Sequence, residues 1–377
     1  QRSPVQAGEA VPSPLLSRSL VLSYRLVGPP FISGCVMRPS AMALFVTLVI
    51  SGLGVATFMA LALPLPWLLG PLLGCLIAAL FGVRLQGAPK TGQVMRTILG
   101  VAVGATITPA LFAQLGTLIW TLALMPPLVI CVGAVGYPLF RKGFGFDHPT
   151  AFYAAMPGGL QDMLLFGEEA GGDVRALSLV HATRVLIVVM VLPIVFAFFY
   201  GVDMSQPVGE PFLSVPWTQL LILAAAGLAG WRIAAAFGLF GASILGPLFL
   251  TAALSLAGFI HHRPPAEAIQ AAQFFIGFSI GVKYAGISWR ELRVYVTAGV
   301  IFTVLSLCIS AVFAAVVFRL GWLPFTESVL AFSPGGQAEM AIVALVAGAD
   351  AAVVVAHHLV RIVFVIIGAP LVNRWFD

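Results

Sequence analysis

Apolar stretches follow one another almost without interruption from residue 41 onward, and this feature constrains the fold more than any other. Hydrophobic residues make up 60% of the chain and charged residues only 9%, whereas soluble domains carry about 25% charged residues. A globule this apolar could not cover its surface with polar groups in water. The sequence therefore predicts an all-α polytopic membrane protein whose solvent is the lipid bilayer.

Ten apolar stretches are predicted to be membrane helices. They cover residues 42–63, 66–83, 94–115, 117–140, 174–200, 217–239, 243–260, 268–287, 294–318 and 351–373. Two further apolar segments, 149–169 and 325–348, are interrupted in the middle by Pro-Gly-Gly. Residues 1–36 are rich in Ser and Pro, and we predict that they form a tail that is not part of the fold.

The two Pro-Gly-Gly tripeptides indicate an internal duplication. The spacing that separates Pro157 from Pro334 also separates many other glycines, prolines and polar residues from a matching residue in the second half. These pairs are Gly158/Gly335, Gly159/Gly336, Asp162/Glu339, Met163/Met340, Gly171/Gly348, Asp173/Asp350, His181/His358, Arg184/Arg361, Pro193/Pro370, Gly100/Gly277 and Gly104/Gly281. We therefore predict two homologous membrane repeats, 42–200 and 217–376, joined by the loop 201–216.

The relative orientation of the repeats depends on the interrupted segments. If each segment crosses the membrane, a half has six passes and the repeats are parallel. If each is re-entrant, a half has five membrane helices and the repeats are inverted. Positive residues favour the cytoplasmic side, and the inverted arrangement places more of them there. It puts Arg38, Arg84, Lys90, Arg141, Lys142, Arg232, Arg290, Arg293 and Arg374 inside, against Arg263 and Arg319 outside. We predict inverted repeats.

A Pro-Gly-Gly within an apolar segment interrupts a helix because proline lacks an N–H and glycine tolerates unusual backbone conformations. The freed backbone groups are tolerated in a membrane only where they line a polar cavity or are buried in protein. Two such interruptions at related positions are typical of the central site of secondary transporters. Pro157, Gly158, Gly159, Pro334, Gly335 and Gly336 are therefore candidate site residues.

Polar residues follow each interruption and are further candidates for a substrate or ion site. Gln161 and Asp162 follow the first, and Gln337 and Glu339 follow the second. A carboxylate inside a membrane is costly, and it could bind Na⁺ or take up a proton. The alternative is that both acids cap a helix or form local pairs near a membrane face.

The helices that come next carry His181-x-x-Arg184 and His358-x-x-Arg361, a spacing that places both side chains on one helix face. The arginines could hold an anionic substrate, or they could form structural ion pairs with the acids after the breaks or with Asp173 and Asp350. For the histidines, polar packing is the alternative to a role in binding. Lys283 is a third cation that could face the interior.

Nothing in the sequence indicates a cofactor, a metal site or a nucleic-acid surface. Cys35, Cys75, Cys131 and Cys308 lie far apart, without metal or disulfide spacing. The net charge of +5 comes from Lys and Arg scattered at helix ends rather than from a basic cluster. The predicted partners are the lipid bilayer and a small-molecule or ion substrate, with a homo-oligomer left open.

The segments 155–160 and 332–340, together with the two His-x-x-Arg elements, resemble the bacterial AbrB membrane-protein family. This family is distinct from the small soluble DNA-binding AbrB regulators. The resemblance covers about residues 45–376 and implies a multi-pass protein of the inner membrane. Members of the family carry conflicting labels: regulator of gene expression, ammonia monooxygenase and transporter-like protein.

Of these functions, the sequence favours a transporter-like protein that moves a small, anionic solute with H⁺ or Na⁺. The alternative is a membrane sensor that regulates gene expression indirectly, since no loop is long enough for an output domain. An enzyme is the least favoured function, because no His and carboxylate spacing marks a copper or iron site.

Overall fold

The computed structural model describes residues 41–107, 115–204, 207–239 and 241–373. All regular elements in these ranges are helical, which confirms the predicted all-α class. The helices of the first half are α1 (Ala41–Ala60), α2 (Pro66–Leu80), α3 (Pro89–Gly104), α4 (Leu115–Ala123), α5 (Met125–Pro138), α6 (His148–Ala155), α7 (Leu160–Glu169) and α8 (Val174–Tyr200). The predicted tail 1–36 lies outside the described residues.

The helices of the second half have nearly the same lengths and order. They are α9 (Trp217–Ala236), α10 (Ala242–Leu256), α11 (Ala266–Gly281), α12 (Thr297–Arg319), α13 (Phe325–Phe332), α14 (Gln337–Val346) and α15 (Ala351–Asn373). The first and last residues of α11, α13 and α14 are separated from those of α3, α6 and α7 by the same number of residues that separates Pro157 from Pro334. Both ends of α9 and α10 follow those of α1 and α2 at almost the same spacing. The helix bounds thus recur with the sequence duplication.

Six helical stretches among the described residues are long and apolar enough to cross a membrane. They are Ala41–Ala60, Leu118–Gly143, Val174–Phe198, Trp217–Ala236, Trp289–Arg319 and Ala351–Ala369. The other four predicted spans overlap α2, α3, α10 and α11. These helices have only 15 or 16 residues, fewer than the roughly 20 that a bilayer core requires. Proline explains several of these ends, since α2 and α3 begin at Pro66 and Pro89 and α11 follows Pro265.

The two halves pack against each other through two pairs of helices. Helix α3 of the first half packs on α10 of the second, and α11 of the second half packs on α2 of the first. A Cβ at Gly100 or Gly104 would clash with the backbone of α10, and one at Gly277 or Gly281 would clash with the backbone of α2. These are the two Gly-x-x-x-Gly pairs, and such close approach is the role expected for small residues between membrane helices. The interface between the halves therefore depends on the glycines of α3 that face α10 and on those of α11 that face α2.

Helices α8 and α15 are the most buried of the six long apolar stretches. Their apolar parts are 72% and 56% buried, against 22% in α1 and 28% in α9. Exposed side chains such as Phe45, Leu53 and Leu221 cover the outer helices, as expected where lipid is the solvent. The two helices with the His-x-x-Arg elements are therefore more shielded from lipid than the other long helices.

Each interrupted segment forms a helical hairpin that enters and leaves at the same level. In the first, α6–α7, the backbone N–H of Asp173 after the exit donates to Thr150 Oγ1 near the entrance, at 2.7 Å. In the second, α13–α14, the N–H of Asp350 donates to Glu327 Oε1 at 3.1 Å. A segment that crossed the bilayer would place these residues about 30 Å apart. We call α6–α7 and α13–α14 the first and second hairpins, and the Pro-Gly-Gly of each its tip.

A second contact bears on the orientation of the halves. The N–H of Leu65, which follows α1, donates to the carbonyl of Met204, which follows α8, at 3.1 Å. The loops after the first and the last crossing of the first half therefore lie at the same end of the bundle. An odd number of crossings in that half is consistent with this contact, and the inverted arrangement stays a prediction.

Candidate functional site

The backbone is extended at both hairpin tips. Residues Met156 and Gly159 have ψ angles of 125° and 140°, and Ser333 and Gly336 have ψ angles of 144° and 151°. None of the tip glycines has a positive φ, so glycine is not needed there for a left-handed conformation, in contrast to the expectation from sequence. Space is limited at two of them, since a Cβ at Gly158 would contact the flexible side chain of Met163 and one at Gly335 that of Met340, and each methionine would have to shift.

Each histidine of the His-x-x-Arg elements contacts the carbonyl that the tip proline deprives of its helical partner. In a helix the carbonyl of Tyr153 would accept from the N–H of residue 157, but Pro157 has none. His181 Nε2 lies 3.1 Å from that carbonyl oxygen. His358 Nε2 lies 3.0 Å from the carbonyl oxygen of Leu330, which stands in the same relation to the second tip proline. Both histidines are fully buried.

The arginines hold the carbonyls of the extended tips. Arg184 Nη1 donates to the carbonyl of Met156 at 3.2 Å, and its Nη2 donates to that of Gly158 at 2.8 Å. Arg361 donates in the same way to Ser333 and Gly335, at 2.6 Å for both bonds. A buried carbonyl without a partner costs about 1–3 kcal/mol, so the two arginines offset most of the cost of the open backbone.

The two sets of contacts differ in one detail. Arg361 Nη2 also donates to His358 Nδ1 at 3.2 Å, which assigns the proton of that imidazole to Nε2. In the first half, His181 Nδ1 has no hydrogen-bond partner among the described residues. The Nε atoms of Arg184 and Arg361 also lack partners there.

Asp162 and Glu339 occupy the third position of the half-helices α7 and α14. The carboxylate of Glu339 folds back onto the tip, since a Cβ at Gly336 would clash with its Oε2. Oδ2 of Asp162 is buried without a hydrogen-bond partner among the described residues. An acid in the first turn stabilises a helix N-terminus, so the local capping anticipated from sequence is part of the role of Glu339.

The arginines form no ion pair with these acids among the described residues, where the ion pairs are Arg175–Glu291 and His262–Glu210. Glu339 nevertheless interacts electrostatically with Arg184 and Arg96, both from the first half. The structure therefore brings an acid of one hairpin near the arginine that holds the tip of the other. Asp173 and Asp350 are helix caps instead, each accepting two backbone N–H bonds at the start of α8 or α15.

The remaining candidates are placed differently. Gln337 begins α14 and is 8% exposed, and its Nε2 has no hydrogen-bond partner among the described residues. Lys283 is exposed in a short turn after α11, so its side chain does not face the buried interior. The side chain of Gln161 lies outside the described part of the structure.

Two features of the site were not anticipated from the sequence. Arg96, on α3, was not a candidate, although it is a charged residue within a predicted span. The histidine contacts were also missed, although the carbonyl four residues before an interior proline always loses its donor. That rule identifies the carbonyls of Tyr153 and Leu330 from the sequence alone.

Comparison with known proteins gave one family and relatives of moderate identity. The family model described as "Transition state regulatory protein AbrB" matches residues 67–377. "Uncharacterized protein YhjN" of Bacillus subtilis (strain 168) is 29% identical over 331 residues, 81% of this chain and 85% of that protein. "Putative regulator AbrB" of Escherichia coli (strain K12) is 26% identical over 336 residues, 85% of this chain and 92% of that protein. No solved structure matches significantly.

Proposed function

We propose, from the premise that this chain belongs to the AbrB family, that it moves a small solute across the bacterial inner membrane together with H⁺ or Na⁺. The observation that carries the proposal is the pair of hairpin tips. Each tip is open backbone, and each is held by a buried arginine from the helix that follows it. Discontinuous helices from two related halves are how secondary transporters build a central site.

We propose different roles for the charged residues. Arg184 and Arg361 use both Nη groups on backbone carbonyls, so they support the tips instead of gripping a substrate directly. The groups left for binding are the N-termini of α7 and α14, Gln337 and the two acids. Asp162 and Glu339 are the candidates for the coupling ion, because a carboxylate can take up a proton or coordinate Na⁺.

We propose no enzymatic role for these residues and no resident cofactor. No group of three or more His, Cys, Asp or Glu residues in the described ranges could hold a metal ion. His181 and His358 each have one ring nitrogen on a backbone carbonyl. Polar packing accounts for these contacts without a bound metal.

Reconstitution in liposomes tests the transport proposal. Labelled carboxylates and amino acids are offered with an inward H⁺ or Na⁺ gradient, and the wild type is expected to accumulate at least one of them. Asp162→Asn combined with Glu339→Gln is expected to abolish accumulation, while Glu168→Gln, an exposed acid on α7, leaves it unchanged. Absence of transport by a folded wild type, or equal transport by the double variant, would contradict the proposal.

The second candidate function is regulation of gene expression, favoured by the name of the Escherichia coli relative. In this chain we propose that such regulation is indirect and follows from the transported or sensed solute. Transcript levels are compared in cells that carry the wild type, Asp162→Asn/Glu339→Gln or no protein. A regulatory effect that persists in the double variant would indicate a signalling role separate from the site.

A further inference from the structure

Two buried arginines lie at the hairpin tips, and Arg184 and Arg361 are each 1% exposed. Neither has a carboxylate within ion-pair distance among the described residues. Glu339 interacts electrostatically with Arg184, and Arg184 repels Arg361. Buried charges are normally paired because an isolated one is costly. Arg361 thus favours an anion nearby.

The same tip holds hydrogen-bond donors that no described residue uses. Gln337 Nε2 and Arg361 Nε are both buried and unpartnered. Gln337 is the first residue of α14, a helix of 10 residues whose N-cap, Gly336, supplies no side-chain bond. A helix N-terminus with free N–H groups attracts anions. The unused amide donor thus belongs to the first residue of α14, and the guanidinium of Arg361 donates to Gly335, two residues before it.

The carboxylate of Glu339 already uses part of this arrangement. Its Oε2 lies against Gly336, at the N-terminus of α14. The side chain of Glu339 thus places a carboxylate of the protein itself at the N-terminus of α14, where a carboxylate ligand would also be stabilised. The first hairpin differs at the first position of its half-helix, where Leu160 stands in place of Gln337 and supplies no amide donor.

We propose that the tip of the second hairpin binds a small monocarboxylate at the N-terminus of α14, where it takes the place of the Glu339 carboxylate. Gln337 Nε2 and the N–H groups of the first turn donate to the ligand, and Arg361 supplies the balancing charge. This inference rests on the proposed transport function, since the displaced Glu339 carboxylate is the group that H⁺ or Na⁺ then neutralises.

Binding is tested on the full chain in detergent with matched pairs of probes. Sodium acetate, propionate and benzoate are compared with acetamide, propionamide and benzamide, at an ionic strength set with sodium chloride. The carboxylates are expected to raise the Tm of the wild type, and the amides of equal shape are not. Equal protection by amides or by chloride, or no protection by any carboxylate, would overturn the assignment.

Two variants locate the site. Gln337→Leu, which introduces the residue type of the first hairpin, is expected to lose the protection by benzoate, while Leu160→Ala keeps it. Glu339→Gln removes the competing carboxylate and is expected to bind benzoate about tenfold more tightly, equivalent to about 1.4 kcal/mol. Unchanged binding in both Gln337→Leu and Glu339→Gln would exclude the second tip.

The two proposals fail separately. Protection by carboxylates in a protein that transports no solute in liposomes would leave the binding site standing and remove the transport function. Transport of a neutral or cationic solute, without protection by carboxylates, would leave the transport function and remove the carboxylate site.

Discussion

His181 contacts the carbonyl oxygen of Tyr153, the one acceptor that Pro157 deprives of its helical N–H. His358 and Leu330 repeat this relationship before Pro334. Each break and the histidine on the helix that follows it are therefore one structural unit. Together with the arginine bonds, the contact explains why a His-x-x-Arg element follows each Pro-Gly-Gly.

Replacing either histidine by phenylalanine is expected to destabilise the protein. His181→Phe and His358→Phe keep a ring of similar size but remove one of the hydrogen bonds to each carbonyl, since the N–H of Met156 also donates to Tyr153 and the hydroxyl of Ser333 also donates to Leu330. The expected cost is about 0.5–1.5 kcal/mol each. Thermal unfolding in detergent measures the loss. His261→Phe, at an exposed position, is the control and is expected to change the Tm little. An unchanged Tm in both core variants would show that the contacts are not needed.

Lysine is not expected to substitute for the tip arginines. Arg184→Lys and Arg361→Lys keep the charge, but a single ammonium cannot reproduce the planar fork that holds two carbonyls at once. The expected cost is about 1.5–3 kcal/mol for each variant. Arg175→Lys, in a partly exposed ion pair with Glu291, is the matched control, with an expected cost below about 1 kcal/mol. Equal losses at all three positions would argue against the fork geometry.

Replacing an interface glycine by alanine is expected to disrupt the packing of one half on the other. A Cβ at Gly100 would overlap the carbonyl oxygen of Ile244, and one at Gly277 would overlap that of Leu68. Gly100→Ala and Gly277→Ala should therefore lower the Tm by separating α3 from α10 or α11 from α2. Gly92→Ala, on α3 but with open space around its Cβ position, should be neutral or slightly stabilising. Loss of stability in Gly92→Ala alone would contradict this account.

The inverted arrangement predicts the side of the membrane on which each loop lies. Single cysteines are introduced at Lys90 and at Leu213, both exposed, in a background without the native cysteines. An impermeant maleimide is expected to label Leu213→Cys in intact cells, and Lys90→Cys only after the membrane is opened. Labelling of both positions from the same side would favour parallel repeats.

Much of the architecture could be predicted from sequence because apolar composition and repeated residues leave few alternatives. The all-α class, the two interruptions and the duplication required only hydropathy, proline chemistry and a constant spacing. The ends of α2 and α3 could not be predicted, since apolar residues continue past Leu80 and Gly104 although the helices end there. Hydropathy does not distinguish an apolar helix from the apolar turn that follows it.

The sequence identified candidate residues for the site but not the contacts that they make. Asp162, Glu339, Arg184 and Arg361 were candidates as charges within apolar segments, and the structure places both arginines on the tip carbonyls. Substrate contact and an ion pair with the acids were the roles considered from sequence. Neither the hairpins nor the partners of a guanidinium follow from spacing alone, because a charge in a membrane can be satisfied by backbone as well as by carboxylate.

The sequence by itself determined that the chain is helical, apolar and repeated, because these properties depend on composition and on the local chemistry of proline and glycine. Only the tertiary structure decided that each interrupted segment turns back at its tip, that α3 and α11 pack on the opposite halves, and that Glu339 interacts with Arg184 of the other half. Those relationships join residues far apart in the chain. They depend on which surfaces fit closely enough to exclude lipid, and no local pattern encodes that fit.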